Sequence, residues 1–208
     1  MKYKIFIEVI MSKAFSEDEK LNIKHKMMEV AIEIFHESGT KGLSIKELTK
    51  RAGIAQGSFY NFWKDKDALI MDVMQYRLSQ KLEIAKQSFD ESLENPVKFL
   101  VDIIYEHSID LKEKYKKKPI YAQALNMLSK KTENRVYEAN SLYTDFINKL
   151  AEYWKEQNAV KDVDEKGLIN AFTGSFLLFS NYYKFEEEYF NDILKVFISA
   201  VVKRYIEL

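Results

Sequence analysis

The chain has 208 residues, the length of one large domain or two small ones, since domains cluster at about 100–150 residues. Lys+Arg and Asp+Glu each number 32, so the net charge is zero and the overall balance points to no partner. Hydrophobic residues make up 47%, which excludes disorder, and the six Gly and two Pro are too few for the turns of an all-β sandwich or barrel. The absence of Cys removes disulfides, thiolate metal sites and Cys nucleophiles, and fits a reducing cytoplasm. Three scattered histidines (His25, His36, His107) argue against a zinc site, and nothing in the composition calls for a cofactor.

The first ten residues are a short apolar stretch interrupted by Glu8 and followed by Lys13, without the small-residue cleavage site of a secretory leader. With Met11 as a second start, Met1–Ile10 is either a poorly structured extension or an upstream-start artefact, and residues 1–15 are set apart. No apolar run reaches the ~18 residues that a membrane span needs. The longest candidate, Ala171 to Phe179, is interrupted by Thr173, Gly174 and Ser175. These features predict a soluble, intracellular chain.

From Ser16 onward the spacing is helical. Ser16 and Glu19 form a capping box, and Leu21, Met28, Ala31, Ile32 and Phe35 follow on one stripe until Gly39 stops the helix. Ser44 and Glu47 form a second box, opening a short helix that ends at Gly53, and Gln56 to Phe62 holds two more turns. Asp65 caps a stretch from Lys66 to about Asp90. Pro96 suits the first turn of a helix whose run from Val97 to Tyr105 is apolar on most sides, as in a buried central helix. Pro119 to about Ser129 is short. Thr132 to Gln157 is long, with Val136, Tyr143, Ile147, Leu150 and Trp154 on one face, and Asp164 opens a helix to about Tyr183. The last helix runs from about Glu187 to Glu207. The expectation is an all-α architecture of about nine helices without a strand, with a small front domain (16–66) and a larger helical domain (67–208).

The front three helices carry the most information. A capped short helix, a Gly53-centred turn and a second short helix make a helix-turn-helix, which lays its second helix in the DNA major groove. Small or amide side chains at that helix's start read base edges, while cationic and hydroxyl groups beside it grip phosphates. Gln56, Gly57 and Ser58 supply the first set. Tyr60 and Asn61 follow, and Lys46, Lys50, Arg51, Lys64 and Lys66 surround them. From Gly39 to Lys66 six Lys/Arg stand against two acids, a local excess of +4 that the whole-chain balance conceals.

These residues resemble a known family. Met27–Phe35, Gly39, Leu43–Leu48, Ala52–Trp63, Lys66 and Leu69 recur together at the offsets of the tetracycline-repressor (TetR) family. The match covers about Lys24 to Leu69; beyond it only length and helix count agree. The resemblance implies a cytoplasmic homodimer that binds a palindromic operator, usually as a repressor, and is released by a small molecule. It places Lys46, Gln56, Gly57 and Ser58 at base-reading positions, and Ser44, Tyr60 and Lys66 at phosphate-gripping ones, with Asn61 beside them. Phe62 stands where His or Tyr is usual, Trp63 where Phe is usual and Lys64 where Pro is common, so one phosphate contact is in doubt.

Behind the front domain, two apolar stripes on each of the last two helices predict two partners, the chain's own core and a second chain. The small residues Ala171, Gly174 and Ser175 invite close approach, and Ala171, Gly174, Leu178, Phe197 and Val201 are the expected dimer interface. Tyr105, Tyr121, Tyr143, Phe146, Phe172 and Phe176 are candidates to line an effector pocket, although aromatics at helical spacing also make ordinary core. Trp154 belongs to the same set, and His107 and Asn140 are weaker candidates. The basic cluster at Lys112, Lys114 and Lys116–Lys118 reads as a solvated helix end or as a phosphate or membrane contact, and Glu186–Glu188 as an acidic helix start.

The leading expectation is thus a ligand-responsive transcriptional regulator, with double-stranded operator DNA and a small apolar or aromatic effector as partners. The alternative is a constitutive DNA-binding protein without an effector. No nucleophile–base pair, metal-ligand spacing or phosphate-cradling glycine loop supports an enzyme.

Overall fold

The computed structural model describes residues 16–118, 121–122 and 134–208, with the backbone alone for 40–41 and 134–141. In chain order it contains α1 (Glu17–Gly42), α2 (Ile45–Ala52), a 3-10 segment (Gln56–Asn61), α3 (Lys66–Lys86), a second 3-10 turn (Asp90–Leu93) and α4 (Pro96–Lys117). There follow α5 (Asn134–Glu156), β1 (Asp162–Val163), α6 (Glu165–Ser180), a third 3-10 turn (Tyr182–Lys184), α7 (Glu187–Arg204) and β2 (Ile206–Glu207). The fold is all-α, as expected. The chain divides into two compact units, residues 1–73 and 74–208, and the division falls within α3.

The helix ends follow from local chemistry. Both arms of the Ser16–Glu19 box form, the Ser16 hydroxyl accepting from the Glu19 amide at 3.1 Å and the Glu19 carboxylate from the Ser16 amide at 2.8 Å. At Ser44 only one arm forms. Its hydroxyl accepts from the Glu47 amide at 3.1 Å, while the Glu47 carboxylate instead takes the Arg51 guanidinium at 2.7 Å. Gly39 breaks α1 at φ 63°, and one further turn runs to Gly42. Asp65 caps α3 by accepting from the Ala68 amide at 2.7 Å, Asn95 caps α4 ahead of Pro96, and Asp164 caps α6.

In the first unit Met27, Met28, Ala31, Ile34 and Phe35 form the buried stripe of α1, while Leu21 is 52% exposed and Ile32 half-buried. The buried stripe thus begins at Met27, later than expected. It packs with Leu43, Leu48, Ala52, Phe59, Trp63, Leu69 and Ile70. The second unit has one core, built from Leu100, Val101 and Ile104 of α4, Phe146, Ile147, Leu150 and Trp154 of α5, and the inner faces of α6 and α7. Its closing seam is a strand pair, an element absent from the sequence expectation. Asp162–Val163 pairs antiparallel with Ile206–Glu207, tying the start of α6 to the end of α7. The expected helix at 119–129 and the Asn140 and Val136 side chains lie outside the described residues, except that Tyr121 and Ala122 are helical.

One buried and one part-buried polar pair sit in or against this core. The Trp154 indole N–H donates to the Ser92 hydroxyl at 2.6 Å, both residues being fully buried. The Tyr143 hydroxyl and His107 Nε2 are 3.2 Å apart. Burial drives the His107 pKa down from 6.5 to about 4, with Lys81 adding to the depression, Asp110 opposing it and Lys114 adding less.

Ser92→Ala removes the acceptor and leaves a buried N–H unpaired, which should lower stability by about 1–3 kcal/mol; urea unfolding followed by far-ultraviolet circular dichroism measures it. His107 supplies a pH dependence of definite sign. Its pKa is lower folded than unfolded, so between about 6.5 and about 4 the unfolded state binds more protons and stability falls as pH falls. The loss sums to roughly 3 kcal/mol and is absent above that window. Urea midpoints at pH 7 and pH 4.5 should show a smaller drop in His107→Leu than in the parent chain.

Candidate functional site

The turn after α2 shows how the sequence builds a surface for a partner. Gly53 takes φ 71° and ψ 33°, its amide donating to the Lys50 carbonyl at 3.1 Å and the Ile54 amide to the Thr49 carbonyl at 2.9 Å. This paired closure caps the helix and reverses the chain within two residues. Gln56–Asn61 then forms a 3-10 segment rather than the expected α-helical turns. It is short, and no side chain caps its start at Ala55, so the tighter winding satisfies its few amides. Phe59 is the anchor, fully buried and 5.5 Å from the Trp63 ring.

Around that anchor the expected reading residues face outward. Gln56, Gly57, Tyr60 and Asn61 are exposed, as are Lys46 and Ser44 on α2 and its cap, while Ser58 is half-buried. Gly57 is informative. Its φ is not positive, and a Cβ placed there would meet nothing within 4 Å. Neither backbone geometry nor packing within the chain requires a glycine at this position.

The basic surround is smaller than its count implied. Arg51 is committed to structure, its guanidinium reaching Glu37 on α1 and Glu47 on α2, each at 2.7 Å. Those hydrogen bonds hold the Glu47 carboxyl below the usual carboxylate range. Lys66 Nζ lies 3.4 Å from the Leu43 carbonyl, so it also ties α3 to the loop before α2. Lys46, Lys50 and Lys64 remain exposed. Trp63, the departure from the family's phenylalanine, is buried with its N–H donating to Asp72 at 2.9 Å, and the same carboxylate oxygen takes Lys24 Nζ at 2.9 Å. Sequence reasoning missed this three-element clamp, because Lys24, Trp63 and Asp72 share no local pattern.

In the second unit the pocket candidates separate. Tyr143 stacks on Phe172, centroids 4.4 Å apart and planes at 23°, and meets His107. Phe146 is fully buried against Phe89 and belongs to the core, as does Trp154. Phe176 packs edge-on against Phe179, Tyr105 carries Lys195 above its ring at 5.3 Å, and Tyr121 lies 6.0 Å from Lys114. Much of the basic cluster is paired with acids at the surface. Lys114 pairs with Asp110, Lys116 with Glu187 and Lys117 with Glu113, while the buried Lys112 donates to Asn191 at 2.6 Å.

The expected dimer residues need correction. Ala171 is fully buried in the chain's own core, and a Cβ on Gly174 would stand 2.5 Å from the Phe197 ring, so that glycine serves α6–α7 packing inside one chain. Both stripes read from the sequence turn largely inward: Leu168, Phe172, Ser175 and Phe179 are buried, as are Phe190, Leu194, Ile198 and Val202. A third face carries the exposed apolar residues: Leu177 on α6, and Tyr189, Ile193 and Val196 on α7. Leu178, Phe197 and Val201 are half-buried. The i, i+4, i+7 spacing of Tyr189, Ile193 and Val196 was legible, but the richer stripes beside it obscured it.

Comparison with known proteins agrees with this geometry. Residues 27–73 match the family model described as bacterial regulatory proteins, tetR family. The uncharacterized HTH-type transcriptional regulator YvdT of Bacillus subtilis (strain 168) is 34% identical over 79 residues, 37% of this chain and 41% of YvdT. The chain thus spans less than half the length of that curated relative. RolR in complex with resorcinol has a similar fold, with TM-score 0.61 at 14% identity over 93% of this chain and 92% of RolR. Thermus thermophilus FadR, a TetR-family repressor in complex with lauroyl-CoA, gives 0.60 at 15% identity over 86% and 91%. The likeness to the tetR family of bacterial regulatory proteins is thus carried by residues 27–73, the segment that holds the helix-turn-helix.

Proposed function

We propose that the protein is a cytoplasmic, ligand-responsive transcriptional repressor that binds a palindromic operator as a homodimer and leaves it when a small apolar or aromatic molecule occupies the second unit. The observation that carries the DNA-binding part is Gly57, an exposed glycine with no steric or conformational reason inside the chain. A reason outside the chain is close approach of a partner's surface, and the flanking Gln56, Ser58 and Lys46 match the donors and acceptors of base edges. Ser44, Tyr60, Asn61 and Lys66 stand at the rim for phosphate contacts, which set register rather than sequence preference.

The homodimer rests on the exposed face of α6 and α7. Leu177, Ile193 and Val196, with Leu178, Phe197 and Val201 at its margin, form a surface that a second copy would cover. A dimer would set two reading segments about 34–36 Å apart, one helical turn of DNA, and so require a two-fold symmetric site. Release by a ligand needs only a different ligand affinity in the two arrangements, with couplings of about 1–3 kcal/mol usual. RolR and FadR, which share the fold, are complexed with resorcinol and lauroyl-CoA.

Two substitutions test the two halves of this reading. Gly57→Val should leave the urea midpoint unchanged or raised, since glycine costs about 0.5–1 kcal/mol inside helical structure. It should weaken binding to a selected operator by about 1–3 kcal/mol in an anisotropy titration. Unchanged operator affinity would remove Gly57 from the interface. Val196→Glu, at a position 68% exposed in the single chain, should give a folded monomer by light scattering, while Ile84→Glu, 65% exposed on α3, should not. A dimer that survives Val196→Glu places the interface elsewhere.

A further inference from the structure

Resting on the DNA-binding reading, the attachment of the reading segment says what its sequence discrimination depends on. Of the six residues Gln56–Asn61, Phe59 alone is buried, so a single side chain roots the segment in the first unit. What Phe59 rests on is Trp63. The two rings lie 5.5 Å apart, tilted by 40°, and the Phe59 carbonyl accepts from the Trp63 amide at 3.1 Å and from the Phe62 amide at 3.0 Å. A displacement of Trp63 is therefore felt at Phe59 through both ring and backbone.

Apolar packing alone would hold the two rings together without fixing their angle, because the hydrophobic effect has no direction. A hydrogen bond has one. The Trp63 indole N–H donates to Asp72 Oδ2 on α3 at 2.9 Å, and a charged acceptor makes such a bond stronger than a neutral one. The same oxygen takes Lys24 Nζ of α1 at 2.9 Å, so the acceptor is itself held in place. All four residues belong to the first unit. The indole N–H is thereby aimed at a fixed point on the frame of α1 and α3.

We propose that Asp72 is the positioning residue of the reading segment: through the Trp63 indole it fixes the orientation of Phe59, and hence of Gln56, Gly57 and Ser58 against base edges. Attraction between a lysine and a phosphate acts over a range of distances and survives a small rotation of the segment. Hydrogen bonds to base edges need aligned donors and acceptors and do not. Loss of the indole bond thus costs discrimination between sequences and not affinity for DNA as such.

Variants of the full chain, each titrated by anisotropy with the selected operator and with a scrambled duplex, separate this role from a merely stabilising contact. Asp72→Asn and Asp72→Leu remove the same charge, so a general gain in DNA affinity from losing an acid is common to both. Asn keeps an acceptor oxygen, and one oxygen serves both donors here. Asp72→Asn should therefore hold the ratio of operator to scrambled affinity within about twofold of the parent. Asp72→Leu removes the acceptor, and Trp63→Phe removes the donor without touching the charge. Each should lower that ratio about tenfold, the scale of one lost base contact, with the scrambled duplex bound by Trp63→Phe as by the parent. The double variant should lose no more than either single one. The proposal is overturned by an unchanged ratio in Trp63→Phe and Asp72→Leu, by an equal loss in Asp72→Asn, or by losses that add in the double variant. A fall for both duplexes alike, the mark of a destabilised unit, overturns it as well. A parent chain that binds both duplexes equally sinks the regulator reading itself, whereas a discriminating parent with unaffected variants sinks this inference alone.

Discussion

At Gly53 the backbone enters the left-handed region, φ 71° and ψ 33°, where a chiral side chain costs about 1–2 kcal/mol. Everything the first unit presents depends on that residue. It lets two amides close the end of α2 on the Lys50 and Thr49 carbonyls and turns the chain, so that Phe59 drops into the core and Gln56, Gly57, Tyr60 and Asn61 face outward. Two ionic arrangements then hold the frame. Arg51 joins α2 to α1 through Glu37, and Asp72 gathers Trp63 and Lys24, so the start of α3 is fastened to the same body. A reading segment only six residues long has little stability of its own, and its precision comes from these neighbours.

The second unit uses glycine for the opposite purpose. Gly167 and Gly174 let Tyr205 and Phe197 lie closer to α6 than a Cβ would allow, a Cβ on either coming within 2.4–2.5 Å of a ring carbon. Helices α6 and α7 thereby satisfy their two richest apolar stripes against each other and against α4 and α5. What remains outside is a narrower stripe of large apolar residues. The polar groups that the unit buries are hydrogen-bonded: Trp154 to Ser92, Lys112 to Asn191, and Ser108 and Ser175 to carbonyls of their own helices.

Much of this was legible in the sequence, and the failures share a cause. Caps and turns are local chemistry, so Ser16, Gly53, Asp65, Pro96 and Asp164 marked helix ends correctly, while Gly39 marked a kink three residues before the end of α1. The half-formed box at Ser44 failed because Glu47 had a stronger partner one turn on, in Arg51, which was itself counted as free for phosphate. Periodicity shows that residues share a face but not what covers it. That is why Leu21 was read onto one stripe with Met28, Ala31 and Phe35, and why Ala171 and Gly174 were assigned to a second chain while the outward face of Leu177, Ile193 and Val196 went unread. A two-residue strand pair such as 162–163 with 206–207 has no period to detect. The His107–Tyr143 pair joins positions 36 residues apart, and only tertiary structure brings them together.

The most direct test of the account is a pair of anisotropy titrations on the full chain, with a duplex enriched by selection from a random library and with a scrambled duplex of the same length and composition. The account predicts that selection yields a two-fold symmetric sequence with half-sites about one turn of DNA apart, bound roughly 10³-fold or more tightly than the scrambled duplex at physiological salt. Equal affinity for the two duplexes would contradict it.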